Sequence, residues 1–112
     1  MRIYIRVEEA IYETTAYNPF MYKDEMYCSI KRKKRNLIKN NRYKYQIVHV
    51  LTGQGIIICI SKDIEDNIKR LRETEKVYNK TVAAALTERF KDNQTVNINT
   101  DQWNKLITRL KK

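Results

Sequence analysis

Apolar and polar residues alternate in twos along roughly the first half of the chain. They then switch to a spacing of three and four, so the sequence divides into a strand half and a helix half. Ile3, Ile5 and Val7 alternate with Arg2, Tyr4 and Arg6, as in a half-buried strand. Ile11 to Tyr17 extends that strand or pairs back on it, before Asn18-Pro19 supplies turn chemistry. Met26, Cys28 and Ile30 alternate with Tyr27, Ser29 and Lys31 as a further strand. Tyr43 to Leu51 and Ile56 to Ile60 then read as a hairpin around Thr52-Gly53-Gln54-Gly55. Gly53 suits the first central position of a two-residue type II′ turn. That even loop pairs Val48 with Cys59 and His49 with Ile58, which sets His49 and Cys59 on opposite faces. Five apolar residues in a row, Ile56 to Ile60, predict a strand buried on both sides.

From Ser61 onward the period lengthens. Ser61 is the expected N-cap, with Asp63, Glu65 and Asp66 near the positive end of the helix dipole. Ile64, Ile68, Leu71, Tyr78, Val82, Leu86 and Phe90 hold one apolar stripe. It predicts one long helix over about 62–91, with Glu75 interrupting the stripe and Asn79 the point where a break would fall. A short strand at Thr95–Ile98 precedes Thr100, a second N-cap candidate. Trp103, Leu106, Ile107 and Leu110 give a C-terminal helix over about 100–111, too short to stand unless Trp103 docks it. The expected architecture is α+β: a small antiparallel sheet of about four or five strands, with the helices packed on one face.

Composition narrows the class. The chain has 112 residues, 42% of them apolar, with two glycines and one proline, which fits a single domain over 1–112 with its own core. No apolar leader follows Met1, and two cysteines are too few for a secreted disulfide framework. The longest charge-free run, Tyr45 to Ser61, holds Gln46, His49, Thr52, Gly53, Gln54 and Gly55, so it reads as a hairpin and not a membrane span. Lys, Asn, Ile and Tyr, all drawn from A/T-rich codons, make up 46 of the 112 residues. The expectation is a soluble cytoplasmic protein of a bacterial host, encoded by a bacterium, a phage or a mobile element.

Charge changes the picture more. The formal net charge is +10, and residues 31–52 alone carry eight basic and no acidic side chains. Lys31, Arg32, Lys33, Lys34 and Arg35 form a run that Lys39, Arg42 and Lys44 continue, between two predicted strands. Such a hairpin arm attracts phosphates and releases condensed counterions, an affinity that needs no base readout. Asn36, Asn40 and Asn41 add donors, and Tyr43 and Tyr45 offer rings on which an unpaired base could stack. The bland alternatives are a solvated loop that blunts a sheet edge and tyrosines that belong to the core.

Catalytic and metal chemistry find little purchase. Cys28, His49 and Cys59 are the obvious soft ligands, but they show no CxxC spacing and no fourth partner. No cofactor motif is present, since both glycines sit in the turn. His49 has neither a nucleophile nor an orienting carboxylate near it in sequence, and Glu73-x-Glu75-Lys76 disperses over a helix surface. The expected function is therefore a non-enzymatic module binding DNA or RNA through residues 31–44. The alternative is a phage or mobile-element inhibitor of a host protein or nucleoprotein, with the arm on an acidic surface. A small toxin ribonuclease ranks third. No membrane and no small-molecule substrate is expected.

Overall fold

The computed structural model describes residues 1–7, 10–32, 44–89 and 98–110. Six strands precede three helices: β1 (Arg2–Val7), β2 (Ala10–Thr15), β3 (Tyr17–Tyr22), β4 (Glu25–Lys31), β5 (Tyr45–His49) and β6 (Gln54–Cys59), then α1 (Ile64–Tyr78), α2 (Val82–Arg89) and α3 (Thr100–Leu110). The class is α+β. The strands form one sheet in the order β2-β1-β6-β5-β4-β3.

That order makes the sheet curl. Its two edge strands, β2 and β3, follow one another with only Ala16 between them, so the edges are drawn together. Asn18 takes a positive φ of 49°, and the β3–β4 ladder shifts register between Tyr17 and Phe20, which bends the chain from one edge to the other. Pro19, lacking an N–H, falls within this irregularity. The curl also explains why the sheet is mixed where antiparallel pairing was expected. Chain direction reverses from β1 to β2–β3, then to β4, to β5 and to β6. After four reversals β6 runs parallel to β1, and Arg6 pairs with Gln54. The expected count of four or five strands rises to six because the segment after β1 serves both edges.

Strand alternation sends side chains into two separate cores. Ile3, Ala16, Met26, Cys28, Ile30, Val48 and Val50 line the concave side, where Trp103, Leu106 and Ile107 of α3 pack on them. Phe20, Tyr27, Ile47 and Cys59 line the convex side, under Leu71 of α1 and Val82 of α2. Helices therefore cover both faces, not one. The Ser29 hydroxyl accepts a 2.8 Å bond from Asn67 Nδ2 on α1, a buried polar tie beneath this second core.

The helical half departs from one continuous rod. Asp63, not Ser61, is the N-cap: its carboxylate accepts from the Asp66 N–H at 3.2 Å. Ser61 acts one step earlier, its Oγ accepting from the Asp63 N–H at 3.0 Å. At Asn79 the backbone turns left-handed, with φ 55° and ψ 35°, and α1 ends. Thr81 then starts α2, its hydroxyl accepting from the Ala84 N–H at 3.1 Å. The predicted strand at Thr95–Ile98 falls largely outside the described residues, and Ile98-Asn99 form a turn into α3.

Candidate functional site

The basic segment rises from the β4–β5 hairpin. Lys31 closes β4 opposite Tyr45, and the Arg32 N–H donates to the Lys44 carbonyl at 2.9 Å, which carries the pairing one step past the strands. Lys31 and Lys44 are exposed and Arg32 is half-buried. These three cations stand together at the base of the segment. Lys33, Lys34, Arg35, Lys39, Arg42 and Tyr43 lie outside the described residues.

Tyr45 belongs to the rim of the convex core. It is half-buried, pairs with Cys59 across β5–β6, and meets Tyr17 edge-on with ring centroids 6.5 Å apart. Lys62 brings its ammonium over the Tyr17 ring, 4.7 Å from the centroid. The turn at Asn18 fixes that approach, because its Nδ2 donates to the Lys62 carbonyl at 2.8 Å. A cation–aromatic cluster of Tyr45, Tyr17 and Lys62 thus abuts the arm's base. The sequence reading missed Tyr17 and Lys62, since only the edge-to-edge curl and the entry to α1 bring them beside Tyr45.

His49 sits at the far end of β5. The strands are linked by Val50 to Gly53, not by two residues, with Gly53 at φ 70°. Register therefore shifts to Tyr45↔Cys59 and His49↔Gln54, in place of the expected Val48–Cys59 pairing. Cys59 therefore shares a face with Tyr45 and His49, not the opposite face expected, but lies four strand positions or about 13 Å from His49. His49 is buried, packs on Tyr27 and Trp103, and shares a 2.9 Å hydrogen bond between Nδ1 and Thr52 Oγ1. Its Nε2 lies 3.4 Å from Glu25 Oε2, so the fold supplies the nearby carboxylate that the sequence did not reveal. Burial holds the imidazole below its ordinary pKa, against the opposing pull of Glu25.

The thiols are held apart. Cys28 faces the concave core and Cys59 the convex one, and burial pushes the Cys28 thiol up to about 12 and raises that of Cys59. Among the described residues, no three His, Cys, Asp or Glu side chains gather as a metal site, and no helix is long and apolar enough to cross a membrane. Nor do Glu73 and Glu75 converge. Glu73 is exposed, while the Glu75 carboxylate turns inward to accept from Tyr22 Oη at 2.6 Å, Lys23 Nζ at 2.8 Å and the Val82 N–H at 2.9 Å. Compared with family models, curated proteins and solved structures, the chain matches none.

Proposed function

We propose that this chain is a non-enzymatic nucleic-acid-binding module that grips the phosphate backbone through the basic segment between β4 and β5, in the cytoplasm of a bacterial host. One observation supports the reading above the others. The acid-free stretch of residues 31–52, with its eight cations, is borne on a hairpin whose base is tied by the Arg32–Lys44 hydrogen bond. Cations concentrated without counter-charges bind phosphates by releasing counterions, whatever the base sequence. The Tyr45–Tyr17–Lys62 cluster beside them adds aromatic surface and a further cation.

The test is fluorescence anisotropy of short labelled DNA and RNA strands across a salt series. Affinity should fall with a log–log slope of about −0.7 to −0.9 for each phosphate neutralised. No binding at low salt would overturn the reading. If the chain then captured a bacterial protein that stayed bound after nuclease treatment, the inhibitor reading would replace it.

A further inference from the structure

Among the described residues, a helix covers one end of the curled sheet and none covers the other. At one end α3 covers it, with the Trp103 ring tilted against His49 at 6.0 Å and Asn99 bonded to Tyr4 and Val50. Toward the other end, where Ile30 precedes Lys31 and Arg32 along β4 and Gln46 follows Lys44 and Tyr45, lies a cavity of about 230 Å³. Its lining is mainly polar: Arg6, Gln46 and Gln54 lie around it with Gly55, and Ile5 and Val7 supply apolar surface above the buried Ile30 and Val48.

Gln46 is set there by strand alternation. It pairs with Ile30 on one side and Ile58 on the other, on the face opposite Tyr45. Gly55 makes the position available, because a Cβ at residue 55 would overlap the Gln46 amide. That amide makes no hydrogen bond to another described residue, and Gln54, paired in the sheet with His49 and Arg6, directs its backbone N–H to Thr52 Oγ1 at 3.4 Å. The cavity thus joins a small apolar surface at Ile5 and Val7 to a larger polar one that carries amide donors and acceptors.

Size and chemistry select among ligands. The volume falls below the roughly 300–1,000 Å³ of sites that take drug-sized molecules, so a dinucleotide does not fit and a single planar ring does. A carboxamide presents a donor beside an acceptor, the arrangement that pairs with a nucleobase edge. Ile5 and Val7 offer apolar surface to the faces of a base, but a base enters such a cavity only when it is out of the duplex stack. We propose that the cavity at Gln46 takes one unstacked base of a single-stranded nucleic acid, its edge on Gln46 and its phosphates on the cations at the arm's base. This rests on the nucleic-acid reading above and narrows it to single strands.

The test compares a labelled single strand with the duplex of the same sequence, by anisotropy, for the parent, Gln46→Leu and Gln46→Glu. The parent should prefer the single strand. Gln46→Leu should weaken single-strand binding roughly tenfold, with duplex affinity and the salt slope unchanged. A single strand carrying 2-aminopurine should brighten on binding the parent as that base leaves its neighbours, and brighten less with the variant. Melting by circular dichroism checks each fold; should Gln46→Leu fail to fold, Gln46→Glu, which keeps the side chain's shape but loses the donor, decides the matter. Unchanged single-strand affinity in the folded variant overturns the base site while leaving backbone binding intact. A parent that binds neither strand nor duplex overturns both.

Discussion

Asn99 and Tyr4 close a reciprocal pair of hydrogen bonds across 95 residues of sequence. Asn99 Nδ2 donates to the Tyr4 carbonyl at 2.8 Å, and the Tyr4 N–H donates to Asn99 Oδ1 at 3.1 Å. Nδ2 also donates to the Val50 carbonyl at 2.7 Å. The need arises from the parallel closure of the sheet. Residue pairing between β1 and β6 is confined to Arg6 and Gln54, where the Arg6 N–H donates to the Gly53 carbonyl at 2.8 Å. Beyond that point an amide side chain does the work of a neighbouring strand. Gly53 permits the approach: it has φ 70°, and a Cβ there would sit 2.7 Å from the Tyr4 carbonyl.

Asn99→Ala should therefore destabilise the fold more than its modest size suggests. Three backbone groups lose their partner, and each buried group left unmet costs about 1–3 kcal/mol. A loss of at least ~2 kcal/mol in urea unfolding is expected. Asn99→Asp should fare no better, since a carboxylate cannot donate to the Tyr4 and Val50 carbonyls. A loss confined to a few tenths of a kcal/mol would mean that β1 is held by β2 and by its contact with β6 at Arg6, without Asn99.

Glu75 is the second long-range tie, and it joins α1, the β3–β4 turn and α2. Burial pushes its carboxyl up, but the bonds from Lys23, Tyr22 and the Val82 N–H outweigh this and hold it below its usual 4.5. The sign follows. A carboxylate whose folded pKa is depressed stabilises the fold above its unfolded pKa, and that contribution is lost as pH falls through the folded value. Glu75→Gln should be less stable than the parent at pH 7, and the gap should narrow as pH drops below about 4.5. A gap constant between pH 7 and acid would show that the charge is irrelevant at this junction.

His49 gives a different window. Burial lowers its pKa from 6.5, and Glu25 only partly restores it, so between the folded value and 6.5 the unfolded chain binds more protons. Stability should fall as pH drops below 6.5 and level off once the folded imidazole protonates. Chemical denaturation across that range for the parent and Glu25→Gln checks it. Removing the carboxylate lowers the folded pKa further and should steepen the loss. Stability that rises as pH falls from 7 to 5 would contradict the burial seen here.

The strand and helix halves were legible because period is a local property. Ile3 and Ile5, and likewise Met26, Cys28 and Ile30, alternate because each strand has one face in the concave core. Leu71 and Val82 keep the stripe because both pack on the convex core. The break between them was written in Asn79, a residue that tolerates left-handed backbone, and in Glu75, whose polarity marks a carboxylate bonded to a helix N-terminus instead of an exposed one. What was hidden is the closure. Nothing near Ala16 announces that β2 runs on into the opposite edge, and the longer β5–β6 link, less the one residue returned by the bulge, moves Cys59 from Val48 to Tyr45. Tyr17, Lys62 and Gln46 become site residues only through that closure. The cations of the arm, by contrast, needed no fold to be seen.

The arm itself makes the sharpest demand. If residues 31–44 hold phosphates, then replacing Lys33, Lys34 and Arg35 with Ala removes up to three contacts, and the salt slope should shrink by roughly two to three. Affinity should drop by a similar factor for every sequence tried, because phosphate contacts carry no base information. Lys31 and Lys44, exposed at the hairpin base, are the control: Lys31→Ala with Lys44→Ala should reduce the slope further without loss of fold, since neither side chain enters a core. Tyr45→Ala should behave differently from both sets. Its ring packs on Tyr17 and the convex core, so it should lower thermal stability and weaken single strands more than duplexes, with the slope preserved. A triple arm variant whose salt slope matches the parent's would place the phosphate contacts elsewhere on the molecule and end the case for the arm.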